Sequence, residues 1–146
     1  MENATTLNDL IEINNDRVEG YGKAIKEVKD SDLHVIFESM IGQSRQFLIE
    51  LKELVRIEGE QPADGTTIRG KIYRVWMDVK AAFSGNDRQT VLNSCEFGED
   101  AAQRAYAAAL EEDLTPEVKA LVEKQKLSLK ASHDKIKTIR DRKLVV

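Results

Sequence analysis

Four stretches of this chain repeat their apolar residues in alternating steps of four and three, which only amphipathic helices can use. The first stripe is Leu7, Ile11, Val18, Tyr21, Ile25 and Val28, with Asn14 filling the one remaining slot. A second runs Leu33, Phe37, Met40, Ser44, Phe47, Leu51, Leu54. The third is Leu92, Cys95, Glu99, Ala102, Tyr106, Ala109, and the fourth Val118, Val122, Gln125, Leu129, Ser132, Ile136, Ile139. Stripes of this kind are buried most simply against one another, so the expected fold class is all-α, with four long helices around one core. No strand pattern competes anywhere.

Punctuation sets the boundaries, at about 6–28, 32–57, 88–111 and 116–142. Asp30-Ser31-Asp32 breaks the first pattern and offers caps for the second helix, and so short a connection makes the pair antiparallel. Thr115-Pro116 is the clearest start in the chain, a capping residue followed by proline at the first helical position. The middle is different. EGEQPADGTT, from Glu58 to Thr67, is a loop, and Ile68, Ile72, Val75, Trp76, Val79 and Phe83 then mark a shorter helix over about 68–83. Loop and short helix together form a crossover long enough to return the chain to the other end of the bundle. At 146 residues the whole reads as a single domain, 1–146.

Each stripe changes character at mid-length, where Asn14, Ser44, Glu99 and Gln125 replace apolar residues. In an antiparallel hairpin turning near residue 30, Asn14 lies level with Ser44; in one turning near 113, Glu99 lies level with Gln125. With the two hairpins in register, all four share one core polar layer. Glu96 and Gln103 flank Glu99 on the same helix face, and His133 sits at the edge of the fourth stripe beside Asp134. Tyr21 and Tyr106 are expected as core rings with a hydroxyl partner, and Cys95 as a small buried hydrophobe. On this reading Glu99→Gln keeps the shape and most of the hydrogen bonds, a change expected to cost less than about 1.5 kcal/mol.

Charge excludes some classes of function. The net charge is −4, with no long basic tract, so nucleic acid is not an expected partner. No stretch approaches the ~20 apolar residues that span a bilayer, and MENATTLNDLIEI has neither a basic nor an apolar leader region, so the expected location is the cytoplasm, away from membranes. A lone cysteine forms no internal disulfide.

CEFGEDAAQRAYAAALEEDL (95–114), LNDLIEINNDRVEGYGKAI, YRVWMDVKAAFSGND and SHDKIKTIRD together resemble a bacterial family of uncharacterised ferritin-like four-helix-bundle proteins. The resemblance spans essentially the whole chain. It implies a ferritin-like antiparallel bundle with the extra helix in the crossover between helices 2 and 3, and no established reaction. A more distant similarity, to rubrerythrin-type helices that carry a ligand glutamate seven residues before a tyrosine, fits Glu99 with Tyr106. At the matching place before Tyr21 stands the amide Asn14. The Glu-x-x-His motifs of such centres are lacking: Ser31 stands three residues before His34, and Lys130 three before His133.

Two function classes follow. The favoured one is a non-catalytic bundle, a stress-associated or protein-interaction module with a degenerate metal site and no cofactor. Its competitor is a di-metal oxidase or ferroxidase-like protein holding iron or manganese, with Glu96, Glu99 and His133 as the ligands. The expected assembly is a homo-oligomer, in its simplest form a dimer. Val35, Gly42 and Ile49, outside the core stripe, offer a dock for the crossover helix or for a second subunit.

Overall fold

In the computed structural model the described residues form helices α1 (Glu2–Glu27), α2 (Ser31–Ile57), α3 (Arg88–Leu110) and α4 (Pro116–Arg142), with no strand among them. The structure describes residues 2–63 and 88–142. The crossover helix expected over 68–83, Trp76 included, lies outside them.

α1 packs most extensively on α2, and α3 on α4; α1 also lies against α3, while α2 and α4 touch more thinly. Directions follow from which residues meet. Asn14 bonds Tyr106 and Arg17 bonds Glu99, so α1 and α3 are antiparallel. Gln125 reaches Phe47 and Glu50 while Ser132 reaches Gln43, so α2 and α4 are antiparallel as well. Each short-looped pair is a hairpin, hence α2 and α3 run the same way, with the end of α2 and the start of α3 at opposite ends of the bundle.

The ends are fixed by specific groups. α1 begins four residues before the expected Thr6, because its first turn is held in place: Asn3 donates to Thr115 Oγ1 at 3.2 Å and accepts from the Thr115 amide at 3.3 Å, and Ala4 and Thr6 are buried. Asp30 has the extended backbone of an N-cap, yet its carboxylate bonds no amide of α2. It turns instead to Arg88, which also grips Asp32 through two further bonds, so the first turn of α3 is tied to the α1–α2 connection. That ion pairing holds the Asp32 carboxyl below its ordinary range. At the other end α2 stops at Gly59, whose φ of 79° suits glycine; Gly59 N–H donates to Arg56 O and Glu60 N–H to Val55 O, a Schellman stop.

Among the described residues two apolar clusters fill the interior. One gathers Leu7, Leu10, Phe47, Leu51, Tyr106 and Val122 with their neighbours, the other Tyr21, Val28, Phe37, Leu92, Cys95 and Ile136. Every stripe residue read on α3 is buried; on α2 the last core position is Val55, with Leu54 only partly buried, because 3.6 residues per turn rotates a strict heptad out of the interface. Between the clusters lies a layer that is not apolar.

Candidate functional site: a buried polar layer

Asn14, Ser44, Glu99 and Gln125 are all buried, but they do not form the layer by themselves. Arg17, fully buried on α1, joins two of them. Its Nη1 donates to Ser44 Oγ at 2.8 Å, and its Nη2 and Nε donate to Glu99 Oε2 at 2.8 and 3.2 Å. The remaining capacity goes to α2, where Nη1 reaches Met40 O at 3.4 Å and Nη2 meets the Met40 sulfur. Burial alone would weaken the hold on the proton, yet the Glu99 carboxylate outweighs it and the guanidinium is held above its ordinary range.

From Arg17 the bonds run one way across the bundle. Ser44 Oγ donates to Asn14 Oδ1 at 2.9 Å, Asn14 Nδ2 to Tyr106 Oη at 2.9 Å, Tyr106 Oη to Gln125 Oε1 at 2.6 Å, and Gln125 Nε2 to Glu50 Oε1 at 3.0 Å. The chain starts at a cation and ends at an anion, so each bond polarises the next in the same sense. It visits all four helices. A shift of any one helix by a turn would leave buried donors unpaired, at about 1–3 kcal/mol each, which is how the layer fixes register.

The far side of Arg17 is anionic. Tyr21 Oη donates to the same Glu99 Oε2 that receives the guanidinium, whereas Glu99 Oε1 has no partner among the described residues. Tyr21 also lies beneath Arg17, its ring centroid 5.4 Å from the guanidinium carbon, and packs on Phe37 at 5.4 Å. Burial first, and Glu99 second, push the Tyr21 hydroxyl well above its ordinary range; burial does the same to Tyr106. Both rings are therefore neutral donors at neutral pH, not tyrosinates.

This arrangement of one hairpin's polar residues against the other's lies largely within a span that has a recognised sequence signature: the model of a domain of unknown function, DUF2383, matches residues 2–112. The chain belongs to that family. The DUF2383 match takes in Asn14, Arg17, Tyr21, Ser44, Glu99 and Tyr106, and leaves Gln125 on α4 outside. No curated protein matches the sequence.

The three residues read as metal ligands take different places in this DUF2383 chain. Glu99 faces Arg17 and Tyr21 in the core. Glu96 and His133 meet at the α3–α4 seam, with His133 Nε2 3.6 Å from Glu96 Oε2 and 2.7 Å from Asp100 Oδ1, and Nδ1 3.1 Å from Asp134 Oδ1. Arg140 pairs closely with Glu96 there. Among the described residues no three His, Cys, Asp or Glu side chains are arranged to hold a metal ion.

Cys95 is buried against the layer, one turn before Glu99. Burial, reinforced by the Glu99 charge, pushes its thiol well above the usual range. The native protein is therefore expected to resist an aromatic disulfide reagent at pH 8 and to react fully once unfolded in urea. Immediate labelling of native protein would show the thiol to be accessible.

Proposed function

We propose that this chain is a non-catalytic ferritin-like bundle, an interaction module whose metal site has been replaced by a fixed internal cation. One observation carries the reading: the guanidinium of Arg17 sits in the core between Glu99 and Ser44, where it bonds the only carboxylate of the four mid-helix positions. Arginine remains protonated throughout the physiological range, so this charge cannot step aside as that of a buried lysine can. A metal cation drawn to Glu99 would face a permanent positive charge already hydrogen-bonded to it. The residues present do not fit an iron or manganese pair, which calls for several carboxylates and histidines converging from all four helices.

The ferritin-like part of the proposal is supported by helix direction. Two antiparallel hairpins joined by one long connection between parallel α2 and α3 is the pattern such bundles use. No described helix is long and apolar enough to cross a membrane.

The test is metal analysis of protein purified without chelator, followed by melting with chelator or with iron(II) or manganese(II) added without oxygen. We expect substoichiometric metal and superimposable curves. A full equivalent of metal with a melting rise of roughly 5–10 °C, the scale for a ligand at 100 times its dissociation constant, would overturn the proposal.

A further inference from the structure

α2 turns one face to the core, and no other described element packs on the opposite face. On the outer face Val35 and Ile49 are 71% and 63% exposed, and exposed Gly42 stands midway between them, seven residues from each. Seven residues are close to two turns, so the three lie in one line along the helix. Among the described residues nothing calls for glycine at 42: α2 continues unbroken through it, and an added Cβ would meet none of them within 4 Å. Glycine is a poor helix residue beside alanine, so its presence is better explained by something that approaches from outside.

The line is its own complement. Turned end for end about Gly42, it sets Val35 on Ile49 and Ile49 on Val35, and brings Glu38 to within one residue of register with Arg45. Both Glu38 and Arg45 are exposed, and neither forms an ion pair or side-chain hydrogen bond among the described residues. We propose that a second copy of this chain docks antiparallel on this face, with the twofold axis passing at Gly42. In such an isologous contact every pair occurs twice, so two Val35–Ile49 contacts flank the axis and two Glu38–Arg45 pairs border them. The bare glycine at the crossing lets the helices approach more closely than the 8–10 Å usual between helix axes. Phe97 on α3 and Leu127 on α4 are exposed too, but as single residues on other helices they supply no such symmetry.

A contact made by one helix line falls at the small end of specific interfaces, so the dimer is expected to be weak and concentration-dependent. Sedimentation equilibrium from about 1 to 500 µM spans the dissociation constants of weak dimers. Gly42→Glu places two carboxylates at the axis in open space, and is expected to weaken dimerisation at least tenfold while leaving the helical circular dichroism unchanged. Glu38→Arg and Arg45→Glu should each weaken it by setting like charges together, and the double exchange Glu38→Arg with Arg45→Glu should restore it. Restoration is the outcome that supports the twofold at Gly42, since a general surface effect would not reverse. A wild type that stays monomeric throughout, a dimer indifferent to Gly42→Glu, or a double exchange no better than the single ones would each overturn it.

Discussion

Glu99→Gln is expected to destabilise the protein by about 3–5 kcal/mol, the cost of leaving one member of a buried ion pair alone. That reverses the near-neutral outcome expected from sequence, and Arg17 is the reason. Read as one polar residue among amides, Glu99 loses little by becoming an amide. Paired with a guanidinium whose side chain and its own are both 0% exposed, it carries the charge that balances Arg17. Arg17→Met should cost a similar amount, since it strands the carboxylate. The double variant Arg17→Met with Glu99→Gln removes both charges, fills the space of the arginine stem, and keeps an acceptor for Tyr21 Oη. It should be more stable than either single variant, because replacing a whole buried pair is often neutral. Urea denaturation of all four proteins closes the cycle. Additive losses, or a Glu99→Gln variant within about 1.5 kcal/mol of wild type, would mean that the pair does not hold the charge balance of the core.

Why Arg17 was not legible is a matter of two overlapping seams on one helix. Leu7, Asn14, Tyr21 and Val28 belong to both. Between them the apolar choice is Ile11, Val18 and Ile25, and that is the stripe hydropathy selects. The buried seam also takes Leu10, Arg17 and Ala24, while Val18 and Ile25 are only partly buried. Arginine is rarely buried unless paired, so a pattern search assigns it to the surface and stops. The signal that could have corrected this was Glu99 itself. A lone carboxylate at the centre of a core needs a cation at the same level, and α1 offers Arg17 three residues from Asn14. Arg45, beside Ser44 on α2, offers the same charge and points outward, so charge matching alone leaves two candidates.

The rest of the layer followed more directly from periodicity. All four mid-helix polar residues are interior because heptad spacing leaves them no other face, and the hairpin turns put Asn14 on Ser44. What spacing could not supply was connectivity. Among the described residues Glu99 and Gln125 are joined to the others through Arg17 and Tyr106, and which donor meets which acceptor depends on side-chain rotamers and helix rotation. The same limit separated Glu96 from Glu99: three residues apart they share a broad helix face, yet a rotation of about 60° sends one to Arg17 and the other to His133 and Arg140.

Alkaline pH should unfold this bundle cooperatively, with stability falling steeply once the pH passes about 10, the ordinary range of a tyrosine hydroxyl. Tyr21 and Tyr106 are both held above that range in the folded state, by burial first and, for Tyr21, by the adjacent Glu99 charge. The sign follows from proton counting. Between the unfolded and folded values the unfolded chain has released its tyrosine protons and the folded chain has kept them, so unfolding releases protons and rising pH favours it. Below about pH 10 the contribution is fully present; it is lost as pH climbs toward the folded values. Both hydroxyls are donors in the layer, Tyr21 to Glu99 and Tyr106 to Gln125, so ionising either one also sets an anion against an acceptor. Melting followed by circular dichroism from pH 8 to 11.5 should show a shallow decline from about pH 8.5, where the unfolded chain gives up the Cys95 proton that the buried thiol keeps, and then a steep fall, with the tyrosinate absorbance of these two rings rising alongside loss of helix. Tyr106→Phe should lower the plateau by about 1–3 kcal/mol, since Gln125 loses its donor, and should make the fall shallower because one titrating group is gone. A Tyr106→Phe profile as steep as that of wild type would assign the alkaline loss to other groups.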